Sequence, residues 1–356
     1  MNKLKRKVPI ENVIYMFSYI WNKVEYTKNI FLDGNDDFDS INVLAKLYLE
    51  NIKSVISKGI YKEYNEIKEE LRGIKGKVDF KDSLNQLSLQ NAKSVCIFDE
   101  LNEDNRINQI IKTTAYRLYK SEKIDEKYKN KLNNILLYFN KVRIIRIDDK
   151  IFKNLKFNRN NYYTYYMIKI CELICSSLML SEESGKFKFI DILDDNRKMQ
   201  QVFELFVCSY YKKRFKNHYK VTYQKKLNWN MLGGKQEIVP EMRVDIYLEN
   251  REEAVMIDTK YYPNFFKKSY YSDDKRVLIS GNLYQMFTYM NHLNSDKKIR
   301  GILLYPFNGE DISEKYEIDI MNNFKVNKAI IQIQTIDLSK KWKEIEYQLD
   351  NIIKDI

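Results

Sequence analysis

The sequence predicts an α/β core with a mixed sheet in the C-terminal half, preceded by a mainly helical α+β domain. In the second half the predicted elements run helix, three strands, helix, strand, which is typical of a sheet covered by helices. In the first half apolar residues recur every three or four positions, as amphipathic helices require. Ten glycines and four prolines among 356 residues exclude collagen-like, linker-rich and Pro-rich chains.

The N-terminal half carries four predicted helices and one region of short strands. Apolar spacing predicts the helices, the first entered through Pro9, at residues 11–24, 41–57, 104–120 and 125–142. Residues 31–40 are acidic and predict a turn, and weak alternation over 61–89 predicts short strands or a hairpin. The pattern breaks into basic and Asn-rich residues at 148–161. We therefore predict two domains, 1–160 and 161–356.

The C-terminal half alternates between helical and strand-like patterns. The predicted helices are 165–180, 197–215, 281–293 and 339–353. The predicted strands are 219–223, 242–248, 254–261, 299–305, 316–320 and 328–333. Together they predict the mixed sheet and its flanking helices.

Charge and composition narrow the classes of function. The chain has 61 Lys and Arg against 49 Asp and Glu, a net charge of +12, which favours a polyanionic partner. No apolar run is long enough to span a membrane, and the basic start lacks the apolar core of a signal peptide. These features predict a cytoplasmic protein without a membrane partner. The four cysteines are expected to be reduced and buried.

Several kinds of active site are disfavoured. The chain has only two histidines, so a histidine relay or a His-rich metal site is not expected. Neither glycine-containing segment, 73–78 or 233–236, has the spacing and the Ser or Thr of a phosphate-binding loop. We therefore expect no nucleotide site in this chain, and catalysis that relies on carboxylates and lysine.

Two adjacent predicted strands bring acidic and basic side chains together. Asp258 and Lys260 are two residues apart at the end of an apolar strand, so they point to the same side. Asp245 on the preceding strand reaches that side if the register allows. Two carboxylates beside a lysine form a hard oxygen site suited to Mg²⁺ and to phosphodiester hydrolysis. Taken alone, however, an Asp-x-Lys triplet arises by chance in so charged a chain.

Two predicted helices could add further groups. Glu204 precedes the strands and could supply a third carboxylate to the metal, or could be an ordinary solvated charge. Gln285 and Tyr289 are four residues apart, so they share one face of the helix after the strands. Gln285 could hold the lysine or a phosphate, although an ordinary helix face explains the pair equally well.

The second half resembles a PD-(D/E)xK nuclease domain, with the Gln-x-x-x-Tyr helix of its RecB-like branch. The whole chain is similar to the McrC family of the McrBC modification-dependent restriction system. The segments that carry this resemblance are PIENVIYMFSYIW (9–21), GIKGKVDF (73–80), FDELNED (98–104), NRINQIIK (105–112), DTKYY (258–262) and NLYQ (282–285). One departure is Val244, which replaces the signature proline before Asp245. That proline binds nothing, so the change casts little doubt on activity.

The resemblance implies a function beyond what the residues show. McrC-like chains cut double-stranded DNA with McrB, an AAA+ GTPase hexamer that binds GTP and recognises modified cytosine. It implies that Asp245, Asp258 and Lys260 are catalytic, with Glu204 and Gln285 as helpers, and that Asp245, Asp258 and Glu204 hold Mg²⁺. Domain 1–160 would dock into the McrB ring and stimulate GTP hydrolysis.

Further expectations stay open at the level of the sequence. A pair of these chains could bridge two rings, because cutting both strands needs two nuclease sites. The basic segment 72–77 either enters the ring or forms a plain hairpin turn. Two other functions are considered: a non-catalytic activator of an AAA+ partner, and a stand-alone RecB-like nuclease.

Overall fold

A computed structural model describes residues 8–24, 40–180, 187–189, 195–229, 235–262, 265–268, 276–322 and 325–354. The predicted acidic turn at 31–39, the basic start at 1–7 and the glycines of segment 233–236 lie outside these residues. Across the described ranges, no helix combines the length and the apolar character needed to cross a membrane.

The described helices include the eight predicted ones and two short ones, at Phe80–Asn85 and Asp149–Lys153, that were not predicted. They are α1 (Ile10–Ile20), α2 (Ser40–Ser57), α3 (Phe80–Asn85), α4 (Arg106–Tyr119), α5 (Glu126–Tyr138), α6 (Asp149–Lys153), α7 (Tyr165–Ser177), α8 (Asn196–Arg214), α9 (Ser280–His292) and α10 (Trp342–Lys354). Short 3₁₀ turns occur at Ser88–Asn91, Tyr162–Thr164 and Gln236–Ile238.

The strands include the predicted ones, with ends shifted by up to four residues, and add several that were not predicted. They are β1 (Glu63–Leu71), β2 (Lys77–Val78), β3 (Ser94–Asn102), β4 (Leu178–Leu180), β5 (Phe187–Phe189), β6 (Lys220–Leu227), β7 (Met242–Glu249), β8 (Glu253–Thr259), β9 (Phe266–Lys268), β10 (Arg276–Leu278), β11 (Lys298–Pro306), β12 (Ser313–Asn322) and β13 (Lys325–Ile336).

The chain forms two compact units whose limits differ from the predicted domains. The terminal unit comprises Met1–Gly34 and Ile192–Ile356, and the middle unit comprises Asn35–Asp191. Helix α1 therefore belongs with the C-terminal sheet, and helix α7 belongs with the N-terminal helices. The predicted boundary at residue 160 differs from this arrangement. The apolar face of a helix indicates that the helix is buried, but it does not indicate which other element of the chain packs against it.

Helix α1 is built into the core of the terminal unit. Met16 and Tyr19 pack in one apolar cluster with residues of α8 and α10. The amide of the buried Asn12 donates hydrogen bonds to the carbonyls of Leu338 at 2.7 Å and Lys340 at 2.9 Å. These contacts join residues more than 300 positions apart in the sequence.

Replacing Asn12 with alanine is expected to destabilise the terminal unit. The change leaves two carbonyl acceptors without their donor in a buried environment, at a cost of about 1–3 kcal/mol in the free energy of unfolding. Urea denaturation measures this loss. Glu11→Ala on the same helix is the control and should change stability by less than about 0.5 kcal/mol. Equal stability of the two variants would contradict a structural role for Asn12.

The terminal unit contains a six-stranded mixed sheet in the order β12-β13-β11-β8-β7-β6. Strands β8, β11 and β13 are parallel neighbours, and β6, β7 and β12 pair antiparallel. One face packs against α1, α8 and α10, and the other packs against α9. The predicted fold class, a mixed sheet flanked by helices beside a helical α+β part, is confirmed.

The middle unit combines helices with a small antiparallel sheet in the order β1-β3-β2. Strand β3 lies at its centre and was not predicted. Residues 72–76 connect β1 to β2, and Gly76 has a positive φ of +69°. A Cβ there would lie 2.5 Å from the carbonyl oxygen of Ile97, so the turn needs glycine. Whether this turn also contacts a partner stays a prediction.

Candidate active site

Asp245 and Asp258 lie opposite each other on neighbouring strands. The antiparallel register pairs Ile246 with Ile257, and continuing it by one position places Asp245 against Asp258. Asp245 Oδ2 accepts a hydrogen bond of 3.0 Å from the backbone N–H of Thr259, which fixes it against the end of β8. The predicted convergence of these two carboxylates is therefore present in the structure.

Lys260 follows the last residue of β8 and turns back towards Asp258. Its backbone N–H donates to Leu304 O at 2.9 Å, so β11 holds the chain just after β8 ends. Its Nζ lies 2.8 Å from Asp258 Oδ2, and the lysine side chain is 13% exposed while Asp258 is fully buried. A buried ion pair with one exposed edge can present a fixed positive charge to a ligand.

Helix α9 supplies the second partner of the lysine. Gln285 Oε1 accepts a hydrogen bond of 3.1 Å from Lys260 Nζ, and Gln285 Nε2 donates to Tyr289 OH at 2.6 Å. Gly301 on β11 allows this approach, because a Cβ there would lie 2.6 Å from the sulfur of Met286. The structure thus brings Gln285 and Tyr289 to the site on one helix face.

The pKa values of the site residues are shifted because the carboxylates are buried and close together. Burial and the nearby Asp258 and Glu204 carboxylates raise the pKa of Asp245 to about 7. Burial also raises the pKa of Asp258, although Lys260 opposes this. Burial alone would lower the pKa of Lys260, but the Asp258 and Asp245 carboxylates raise it above its ordinary value. This shift favours the protonated, cationic form of Lys260 at neutral pH.

Glu204 lies near this group but is held by different residues. Its Oε1 accepts a hydrogen bond of 2.6 Å from Gln224 Nε2, and its charge contributes to the raised pKa of Asp245. Within the described part of the chain, no three His, Cys, Asp or Glu side chains form a ready-made metal-binding group. Ligation of a metal by Glu204 stays a prediction.

Sequence reasoning missed three residues that support the site. Thr259 donates to Asp245 through its backbone, and Gln224 donates to Glu204. Gln200 Nε2 donates to Thr259 O at 2.8 Å, and Gln200 Oε1 accepts from the N–H of Tyr261 at 2.5 Å. The sequence feature that could have indicated Gln200 is its position four residues before Glu204 on α8.

The donor set fits a hard divalent cation. Asp258 Oδ1 is buried and has no hydrogen-bond partner among the described residues, so no hydrogen bond there would compete with a cation for this oxygen. Mg²⁺ is typically bound by one or two carboxylates, with water and substrate phosphates completing its shell. Asp245 and Asp258 would supply the two carboxylates, and a cation would relieve the repulsion that raises the pKa of Asp245.

Comparison with known proteins identifies the family. A model of the "McrBC 5-methylcytosine restriction system component" family matches residues 4–306. The chain is 24% identical over 353 residues to the type IV methyl-directed restriction enzyme EcoKMcrBC of Escherichia coli K12, covering 98% of each.

A solved structure has the same fold. It is a half-complex from a tetradecameric assembly of Thermococcus gammatolerans McrB AAA+ hexamers with bound McrC. The match has a TM-score of 0.57 and 17% identity, and covers 97% of this chain and 76% of that one. With the family model matching most of its length, the chain belongs to the McrBC 5-methylcytosine restriction system component family.

Proposed function

We propose that this chain is the Mg²⁺-dependent endonuclease subunit of a restriction complex that depends on modified cytosine. It cuts double-stranded DNA together with an McrB-like AAA+ GTPase hexamer. The observation that carries this proposal is the group of Asp245, Asp258 and Lys260, in which two opposed carboxylates lie beside a buried ammonium with one exposed edge. That arrangement suits phosphodiester hydrolysis better than any other chemistry considered.

The relatives support the choice of partner. The similar solved structure contains McrC bound to McrB AAA+ hexamers, in an assembly of fourteen subunits. Two hexamers and two McrC-like chains would make this number, which agrees with a pair of nuclease sites for the two DNA strands. Because this sequence has no recognisable nucleotide-binding loop, GTP would bind to the partner. We assign docking and GTPase stimulation to the middle unit, because it contains most of the predicted domain 1–160.

The residues of the site have distinct roles in this reaction. Mg²⁺ held by Asp245 and Asp258 would neutralise the scissile phosphate and activate water. Lys260 stays protonated and places its charge where negative charge develops on the phosphate oxygens. Asp258 and Gln285 fix the direction of the ammonium from two sides. Gln285 is thus a positioning residue for Lys260.

Replacing Gln285 with alanine is expected to lower the cleavage rate about 10–100-fold, because removal of a group that orients an active residue has effects of this size. The rate of plasmid linearisation by the assembled complex measures the change. Tyr284→Ala is the matched control, since Tyr284 lies beside Gln285 on the same helix and is 71% exposed. Cleavage at the wild-type rate by Gln285→Ala would contradict the positioning role.

Cleavage of closed circular plasmid tests the whole proposal. The protein and its candidate GTPase are incubated with cytosine-methylated or unmethylated DNA, with and without GTP and Mg²⁺, and linear product is measured. We expect product only when methylation, GTP and Mg²⁺ are all present, and a rate about a thousandfold lower with Lys260→Ala. GTPase stimulation without any cleavage would instead indicate a non-catalytic activator. Cleavage from DNA ends without a partner would indicate a stand-alone nuclease.

A further inference from the structure

We propose that Gln224 is a positioning residue that holds Glu204 beside the two site aspartates and thereby strengthens divalent-cation binding. This inference rests on the proposed function, because it concerns the same site. It adds a residue that no sequence motif indicates. Three observations carry it: a hydrogen bond, an unusual backbone conformation, and the place of Gln224 in the sheet.

The hydrogen bond links Gln224 to a carboxylate with little exposure. Glu204 is 9% exposed, and its Oε1 accepts from Gln224 Nε2 at 2.6 Å. Burial and the nearby Glu204 carboxylate raise the pKa of the Tyr223 hydroxyl. Two successive residues of β6 therefore lie near one carboxylate on α8, and the amide of Gln224 fixes the direction of its negative charge.

The backbone conformation of Gln224 brings its amide to this carboxylate. In a regular strand successive side chains point to opposite faces, so Tyr223 and Gln224 would not both approach Glu204. Gln224 has a φ of +52°, in the left-handed region that non-glycine residues seldom adopt. The departure from strand geometry redirects its amide to the face that carries Glu204.

The distortion lies directly against the candidate active site. Strands β6 and β7 pair Tyr223 with Ile246 and Lys225 with Val244. Between these two pairs Gln224 lies opposite Asp245, and the two residues are not paired. Unfavourable backbone conformations persist where the surrounding structure imposes them, and they are concentrated at functional sites. Gln224 is not a glycine and lies within a strand rather than a turn, so neither feature explains its left-handed backbone conformation. The contact with Glu204 does explain it.

Holding Glu204 in place has a consequence for cation binding. Gln224 lies opposite Asp245 in the sheet and donates to Glu204, so the two carboxylates flank the same residue. A third fixed negative charge increases the attraction of Asp245 and Asp258 for a divalent cation, whether or not Glu204 touches the ion directly. If Glu204 were free to turn towards solvent, that contribution would be lost to screening by water.

Two substitutions distinguish the effect of the Gln224 side-chain amide from the effect of its backbone conformation. Gln224→Gly adopts the left-handed conformation readily but removes the amide. Gln224→Asn tolerates the left-handed conformation and keeps an amide donor on a shorter side chain. We expect the apparent dissociation constant for Mn²⁺, an ion that uses the same oxygen ligands as Mg²⁺, to rise about tenfold in Gln224→Gly and less in Gln224→Asn. Isothermal titration calorimetry of the full chain measures it.

A matched control excludes a general effect of relieving a positive φ. Leu87 has a φ of +54° and lies in the middle unit. Leu87→Gly should leave Mn²⁺ affinity unchanged. In the assembled complex, the Mg²⁺ concentration for half-maximal cleavage should rise about tenfold in Gln224→Gly, while the rate at saturating Mg²⁺ stays within about threefold of wild type.

The outcomes distinguish this inference from the proposed function. Wild-type Mn²⁺ affinity in Gln224→Gly, or no Mn²⁺ binding by the unmodified chain, would overturn the role of Gln224. If the wild-type complex cuts DNA while the variant binds Mn²⁺ normally, the nuclease proposal stands and this one fails. If Mn²⁺ affinity depends on Gln224 but no complex cuts DNA, the positioning role stands without the nuclease.

Discussion

Replacing Lys260 with alanine is expected to lower the rate of plasmid cleavage about a thousandfold, because loss of one preorganised group that stabilises transition-state charge has an effect of this order. Its ammonium is held 2.8 Å from Asp258 and 3.1 Å from Gln285, so it needs no reorganisation during the reaction. Stimulation of GTP hydrolysis by the partner should be unchanged, because we assign that activity to the middle unit.

The same substitution should also reduce stability, and the loss should depend on pH. Without the ammonium, the buried Asp258 carboxylate has no cationic partner, which costs about 3 kcal/mol in the free energy of unfolding. Burial already raises the pKa of Asp258, and the Lys260 ammonium partly counteracts that rise. Without the ammonium the pKa of Asp258 rises further. The stability difference from wild type should therefore be largest at alkaline pH and should narrow as the pH falls and Asp258 becomes protonated.

Two further variants complete this test. Lys220→Ala is the control, since Lys220 is 79% exposed and pairs with Glu249 at the other end of β7. The double variant Asp258→Asn with Lys260→Met removes both buried charges, so it should recover stability while remaining inactive. Cleavage by Lys260→Ala within about threefold of the wild-type rate would exclude Lys260 from the reaction.

The sequence allowed the centre of the candidate site to be predicted because strand geometry is local. Alternation along the predicted strand places Asp258 and Lys260 on one side, which holds although β8 ends at Thr259. The helical period places Gln285 with Tyr289. The fold class was predicted from the same two patterns, the alternation of side chains along strands and the period of the helix. The catalytic roles of these residues stay predictions until cleavage is measured.

The supporting residues could not be predicted, because their contacts depend on the folded arrangement. Gln200 joins α8 to the residues that follow β8, some 60 positions later. Gln224 adopts a left-handed conformation without the glycine or asparagine that would signal it. Strand β3 begins with an apolar run and continues into Asp99 and Glu100, so it lacks the alternation that identifies a half-buried strand.

Replacing Asp245 with asparagine is expected to stabilise the metal-free protein while abolishing cleavage. The pKa of Asp245 is about 7 in the folded chain, whereas an unfolded aspartate has a pKa near 3.9. Between about pH 4 and pH 7 the folded chain holds a proton that the unfolded chain has released. The free energy of unfolding therefore falls as pH rises through this window, and the full penalty is present above pH 7.

Asparagine removes this penalty and keeps the local structure. Its side-chain oxygen can still accept the hydrogen bond from the N–H of Thr259. At pH 8 in EDTA we expect the variant to be more stable than wild type by about 2 kcal/mol, which raises the melting temperature by about 4–8 °C. At pH 4 the two proteins should melt together. Asp319→Asn, which alters an exposed ion pair with Lys328, should change stability by less than about 1 kcal/mol.

Added Mg²⁺ should reverse this order of stabilities. A cation that binds the folded wild type stabilises it by mass action and restores the charged form of Asp245, whereas the asparagine variant offers one carboxylate fewer. Melting temperatures measured with increasing Mg²⁺ should therefore rise more steeply for wild type than for Asp245→Asn. A structural aspartate would lose stability when neutralised, so greater stability combined with absent cleavage is the result that distinguishes a cation-binding carboxylate. Lower stability of the variant in EDTA at pH 8 would contradict this account of Asp245.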